Sequence, residues 1–199
     1  MQEESEEKII LEEKPKTTWQ SFLELARFAI IAIVIVLPIR VYLAQPFIVS
    51  GSSMFPTFLD GEYLIIDEIS YRFNDPKREE VVVFRYPNDT KKFFIKRIIG
   101  LPNETVDIKG STITITNAEN PNGFTLDEPY VKNTSQNVMH MELAKDEYFV
   151  MGDNRNASSD SRSWGALPEK LLVGRAFLRL FPIGKIDAFP GEYTQNINN

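Results

Sequence analysis

Three segments carry residue types that could do covalent chemistry. The first is Ser50-Gly51-Ser52-Ser53-Met54-Phe55-Pro56-Thr57, with a choice of hydroxyls. The second is Phe93-Phe94-Ile95-Lys96-Arg97-Ile98-Ile99, where two cations stand inside an apolar run. The third is Gly152-Asp153-Asn154-Arg155-Asn156-Ala157-Ser158-Ser159-Asp160-Ser161-Arg162, dense in turn formers, hydroxyls and opposite charges. A serine hydroxyl attacks a carbonyl only when a base takes its proton. The chain has no cysteine and a single histidine, His140. Thiolate nucleophiles, iron–sulfur clusters and cysteine zinc sites are therefore excluded, and a histidine zinc site has too few ligands. A base other than His140 must be Lys, Asp, Glu, Tyr or an N-terminus.

Each segment also has a bland reading. Gly-Ser-Ser runs are commonly linkers. Here Met54, Phe55, Phe58 and Leu59 follow at once, which is not linker composition, and Pro56 restricts the local backbone. In a strand, Lys96 shares a face with Phe94 and Ile98, and Arg97 shares the other with Ile95 and Ile99. A buried arginine stays charged and needs a carboxylate, whereas a desolvated lysine can lose its proton. A fall of the lysine pKa to roughly 8.5 would leave about a quarter of it neutral at pH 8. The alternative for Lys96 is a snorkelling surface side chain. The third segment reads as a solvated loop unless Phe149-Val150-Met151 before it and Trp164-Gly165 after it pack it onto the body.

The elements around these segments are legible from pattern. Residues 1–21 read as a polar tail with many acids. Phe28–Phe47 is apolar with one charge, Arg40, and twenty helical residues span about 30 Å, the thickness of a bilayer core. A single transmembrane signal-anchor helix is expected over residues 22–44. A buried soluble helix and a cleaved signal peptide are the rivals; the second is disfavoured because bulky Tyr42 stands where a cleavage site needs a small residue. Lys8, Lys14, Lys16 and Arg27 lie on the N-terminal side, and Arg40 alone on the other until Arg72. The positive-inside rule then places the N-terminus in the cytoplasm and residues 45–199 outside.

Residues 45–199 read as mostly β. Strands are predicted at Tyr63–Asp67, Val81–Tyr86, Phe93–Ile99, Thr105–Ile108, Thr112–Thr116 and Tyr148–Met151, separated by Gly, Pro, Asn and Asp clusters. Leu171–Phe189 reads as a last strand and its exit. An antiparallel β catalytic domain with a smaller β-rich insert, behind one transmembrane helix, is the expected fold. The 199 residues carry a net charge of −6, which leaves no basic excess for a phosphate backbone, so nucleic acid is not an expected partner.

The order and wording of these segments resemble type I signal peptidases, membrane-bound Ser/Lys proteases. Ser53-Met54-Phe55-Pro56-Thr57 is similar to the family's nucleophile box. Gly61–Ile66 and Val82–Pro87 are similar to two of its strands. Lys96-Arg97-Ile98-Ile99-Gly100-Leu101-Pro102 is similar to its general-base box, and Gly152–Arg162 to its Gly-Asp-Asn box. The resemblance runs from Ser53 to Gly165 in family order and implies a Ser53 nucleophile and a Lys96 base. It further implies that Ser158 orients the lysine amine, that Arg97 pairs with Asp153, and that Asp160 pairs with Arg162. Residues 103–146 resemble a variable β subdomain. Phe47, Ile48 and Val49 are the candidates for shallow apolar substrate pockets.

Two departures stand out: Gly51 replaces a serine found two residues before some family nucleophiles, and Glu79-Glu80 replaces a Gly-Asp turn. The implied substrate is the signal peptide of an exported preprotein, cut after small residues at a membrane surface. No cofactor is implied, and a monomer is expected. Four Asn-x-Ser/Thr sequons, at Asn88, Asn103, Asn133 and Asn156, favour a setting without glycosylation, since the last lies inside the third segment. A self-cleaving repressor-type protease and an inactive membrane-tethered β binding module are the alternatives. The first lacks its DNA-binding domain here, and the second has no reason to keep Ser53, Lys96 and Ser158 together.

Overall fold

The structure, a computed structural model, describes residues 18–38, 44–133 and 135–193. The polar tail before Thr18 lies outside the described residues. Two compact units divide between Ile39 and Arg40.

The first unit contains helix α1, Thr18–Pro38. It has no internal glycine or proline, and Pro38 is its last residue. Among the described residues no helix is long and apolar enough to cross a membrane. Of the helix expected over residues 22–44, the structure describes the part to Pro38, and its last residue, Ala44, belongs to a strand. Ala44–Ile48 forms strand β1, whose backbone pairs with a neighbouring strand, and residues 39–43 lie outside the described residues. The helix starts instead at Thr18, with Trp19 stacked on Phe22.

In the second unit the chain continues through β2 (Tyr63–Asp67), β3 (Val81–Tyr86), β4 (Asp89–Gly100), β5 (Thr105–Lys109), β6 (Thr112–Thr116), β7 (Phe124–Thr125), β8 (Val138–Glu142) and β9 (Glu147–Met151). After the short helix α2 (Ser161–Trp164) come β10 (Leu167–Pro168), β11 (Leu172–Phe181) and β12 (Asp187–Ala188). Two antiparallel sheets result. The larger has the order β1-β2-β11-β3-β4-β9-β10, with β12 on β11, and the smaller β7-β6-β5-β8. The mostly β antiparallel class is as expected, and the predicted strands differ mainly at their ends. Strand β4 begins four residues early because the β3–β4 hairpin pairs as far as Tyr86 with Asp89.

Side-chain pattern explains which strand lies where. β5 and β6 alternate: Val106, Ile108, Ile113 and Ile115 are buried, while the threonines between them are not. Their two-residue turn, Gly110-Ser111, uses a glycine at φ 63, the left-handed conformation such hairpins require. β3 does not alternate. Val81 and Val83 enter one core cluster, and Val82 and Phe84 another, on opposite faces of the same strand. A strand covered on both faces reads as a continuous apolar run. β9 is likewise two-sided, with Phe149 and Met151 packing against the small-sheet cluster and Tyr148 and Val150 against that of β3. The second and third chemical segments therefore attach to the most enclosed strands of the body.

Candidate active site

Ser53 lies in the loop joining β1 to β2. That loop is closed by Val49 N–H donating to Glu62 O and Gly61 N–H donating to Val49 O, both at 2.9 Å. Met54 and Phe58 are buried in the core cluster beneath it, which rules out a linker. Gly51 holds φ 89 and donates its N–H to Asp60 Oδ1 at 2.7 Å. The loop is pinned from the other side by Asn154: its N–H donates to Ser53 O at 3.0 Å and its side-chain amide to Ser52 O at 3.1 Å.

Lys96 comes from β4, opposite Val82 of β3. Its Nζ is 2.7 Å from Ser53 Oγ and donates to Ile95 O at 2.8 Å. The Phe94 ring centroid lies 5.2 Å away. Only 3% of the residue is exposed, so the snorkelling alternative fails. Burial pushes the amine down to about 8, against the opposing pull of the Asp160 and Asp153 carboxylates. The fold thus brings Ser53 and Lys96 into contact and puts the amine where its neutral form is well populated near neutral pH.

The supporting residues are also gathered here, with one exception in detail. Arg97 Nε and Nη2 bind Asp153 Oδ1 and Oδ2 at 2.9 and 2.6 Å, with both residues fully buried. Arg162 Nε and Nη2 bind the two oxygens of Asp160 at 2.8 Å each. Asp160 also accepts from Gly152 N–H and caps α2, and the Arg162 guanidinium holds its carboxyl below the usual carboxylate range against the effect of burial. Ser158 sits against this turn with its hydroxyl buried; Oγ makes no close, well-aligned hydrogen bond, although it lies near enough to the Asp160 carboxylate to help hold its pKa down. The bond expected from Ser158 to the lysine amine is not formed, and Nζ is engaged by Ser53 Oγ and Ile95 O instead.

Sequence reasoning missed four contributors. Thr57 donates to Asp153 Oδ2 at 2.5 Å, so the Ser53 loop and the strand of Lys96 share one carboxylate. Asn154 holds the Ser52 and Ser53 carbonyls, as above. Arg155 forms a buried pair with Glu128 of the β7–β8 loop. Gly152 allows a close approach: a Cβ there would lie 2.3 Å from Ser158 Oγ and 2.4 Å from Ser53 O. Each stands within or beside a box already singled out, but only distance assigns its partner.

Phe47, Ile48 and Val49 do line a cleft, of about 410 Å³, that opens onto Ser53 and Lys96. Its far wall is Phe93 and Ile95 of β4, its floor Leu64 and Val83. Phe47 and Phe93 meet edge to face at 5.3 Å across it. β1 is an edge strand paired only with β2, and β9 pairs with β4 only from Arg97 onward. Two strand edges therefore border the cleft with unused backbone groups.

Comparison with known proteins bears on what this arrangement is for. The family model described as signal peptidase, peptidase S26, matches residues 22–181. The chain belongs to the signal peptidase family. A probable signal peptidase I-2 of Synechocystis is 38% identical over 88% of this chain and 79% of its own. Signal peptidase I of Leptolyngbya laminosa is 36% identical, over 78% of each chain. Signal peptidase I T of Bacillus subtilis is 33% identical over 88% of this chain and 93% of its own. The activity that goes with this membership is serine peptidase cleavage of signal peptides. The repressor-type reading does not account for a match of this extent to signal peptidases, and against the inactive binding module stands the Ser53–Lys96 contact rather than the match.

One prediction concerns the frame of the site. Asp153→Ala leaves the Arg97 guanidinium buried without its carboxylate, and breaking such a pair costs about 3–5 kcal/mol. Denaturant unfolding should show that loss, and Thr57→Val, which removes only one hydrogen bond, should cost about 1 kcal/mol.

Proposed function

We propose that Ser53 is the nucleophile and Lys96 the general base of a membrane-anchored signal peptidase. The observation that carries this is the 2.7 Å approach of a buried lysine amine to a serine hydroxyl beside an apolar cleft. With the amine neutral, Ser53 Oγ–H donates to Nζ. Oγ attacks the scissile carbonyl as the proton passes to Nζ, and the tetrahedral oxyanion forms next to the Ser53 backbone N–H. Nζ–H then protonates the leaving amine, giving an ester on Ser53. Water, deprotonated by the same amine, hydrolyses the ester and restores the dyad. Gly51 brings no side-chain donor to the oxyanion, so the backbone carries that role. Ser158 is a positioning residue of the turn that holds Ser53 and Asp160.

The preprotein lies extended in the cleft, its backbone pairing with the free edges of β1 and β4. In an extended chain alternate side chains face the same way, so the first and third residues before the cut both point at Phe47, Val49, Leu64 and Ile95. Large side chains there overpack the cleft. On a preprotein substrate, changing the residue before the cut from Ala to Leu should lower kcat/KM by more than about a hundredfold, since misplacement of the scissile bond by about 1 Å has that cost. Equal cleavage of the Leu substrate would remove the proposed specificity.

The anchor is the apolar segment over residues 22–44; the part of it described as helix α1 does not by itself reach the length and apolarity of a membrane span. Phe28, Ile30 and Val34 expose 60–71% of their surface, apolar groups for which a lipid phase is the natural solvent. With Arg27 and the lysines of the tail on one side, the N-terminus is cytoplasmic and residues 45–199 face the outside. Protease added to sealed inside-out vesicles should remove only about the first 20 residues. Digestion of the body under those conditions would reverse the assigned orientation.

A further inference from the structure

The buried Arg97–Asp153 pair has a lid made by the last described residues, and nothing in the reaction described above uses it. Arg97 Nη1 donates to Glu79 O at 2.8 Å and to Gly191 O at 2.6 Å. The Tyr130 ring lies over the same guanidinium, 3.9 Å from its carbon to the ring centroid. Tyr193 packs edge to face on Tyr130 at 5.9 Å and donates its hydroxyl to Asp127 Oδ2 at 2.9 Å. Gly191 is at φ 78, and a Cβ on it would lie 2.7 Å from Thr57 Cγ2 and 3.1 Å from Phe58. The segment is thereby seated against the nucleophile loop, the lysine strand and the β7–β8 loop at once. Pro190 is buried, so the contact is not a frayed end lying on the surface.

We propose that the segment Pro190–Tyr193 is a positioning element for the reaction, holding the Arg97–Asp153 pair in the orientation on which Ser53 and Lys96 depend. It rests on the Ser53–Lys96 reading above and extends it to residues far from the cleft. The path is short. Asp153 accepts from Thr57 in the nucleophile loop, Arg97 is the chain neighbour of Lys96, and the segment closes the remaining side of the guanidinium. The charges that face the Lys96 amine are Asp153 and Asp160, each neutralised by its own arginine, Arg97 and Arg162. Loosening the segment lets Arg97 turn away from Asp153 and lets water reach the pair. Both changes favour the ammonium form of Lys96, the first by uncovering a negative charge and the second by solvating the cation.

The test is steady-state kinetics on a peptide substrate from pH 6 to 10, with the folded fraction measured by circular dichroism. Tyr193→Ala and Gly191→Ala should each lower kcat by about tenfold, with KM changed less than about twofold, as expected when positioning rather than binding is lost. The ascending, acid-side limb of kcat/KM should move up by about half a pH unit. Tyr193→Phe, which keeps the ring on Tyr130, should behave nearly as wild type. A merely structural role predicts rates that follow the folded fraction with the limb in place, and that result, or wild-type kinetics in both variants, overturns the inference. Lys96→Arg is run in parallel. If it retains turnover, the dyad reading fails. If it is dead while Tyr193→Ala matches wild type, the dyad stands and the role of the segment falls.

Discussion

Lys96→Arg should reduce kcat/KM by at least about a thousandfold, and Ser53→Ala to the same floor, while His140→Ala leaves it unchanged. Arginine preserves the charge at position 96 but does not release its proton in the working range, so it cannot accept one from Ser53. His140 is exposed on β8, bonded to Asp107 in the smaller sheet, and is not among the residues lining the Ser53 cleft. The same reasoning sets the pH profile. An ordinary lysine is about 0.3% neutral at pH 8, whereas an amine at about 8 is about half neutral, a gain of more than a hundredfold in competent enzyme. The competent form is the deprotonated one. Activity should therefore rise about tenfold per pH unit below pH 8 and level off above it. An acidic optimum, or an ascending limb lost in His140→Ala, would rule out lysine as the base.

Gly152→Ala should cost about a hundredfold in rate, although residue 152 performs no chemistry. The added methyl meets Ser53 O at 2.4 Å and Ser158 Oγ at 2.3 Å. Backbone cannot rotate away as a flexible side chain can, so the Ser53 loop must move. A displacement of about 1 Å at the nucleophile is worth about a hundredfold in rate. The loss should fall on kcat, since the walls of the cleft, β1 and β4, are not touched. Gly51→Ala provides the contrast. A Cβ at that position meets nothing within 4 Å, and only its φ of 89 opposes the change. If Gly152→Ala keeps wild-type kcat, Ser53 is not held against the Gly152 turn in the working enzyme.

The comparison between the chain and its fold divides along the range of the interactions involved. Strand periodicity is local, so β2, β5 and β6 could be drawn from alternation, and β3 and most of β9 from short continuous apolar runs bounded by turn residues. The absence of cysteine and the single histidine narrowed the possible bases to Lys, Asp, Glu, Tyr or an N-terminus, and the resemblance of the Ser53 and Lys96 boxes to the family's pointed to the pair. Arg97 was recognisable as needing a carboxylate, since a guanidinium on an apolar strand face has no other means of staying charged. The helix was less tractable. Its hydropathy runs without a break into β1, and only the backbone pairing of Ala44–Ile48 with Tyr63–Asp67 makes a strand of the last part.

What the amino-acid sequence determined by itself is therefore the chemistry on offer: one hydroxyl box, one lysine on an apolar face, a turn rich in carboxylates, and an apolar segment ahead of them. What only the tertiary structure decided is which groups meet. The 2.7 Å contact of Ser53 with Lys96, the sharing of Asp153 between Thr57 and Arg97, and the seat of Gly191 on the same arginine all join residues distant in the chain. The physical reason is the nature of the two kinds of information. Periodicity states which face of an element avoids water, and it is written within a few residues. Hydrogen bonds between side chains are directional and short, so they depend on the register and curvature of strands that pack from opposite ends of the chain, and no spacing within one segment encodes them.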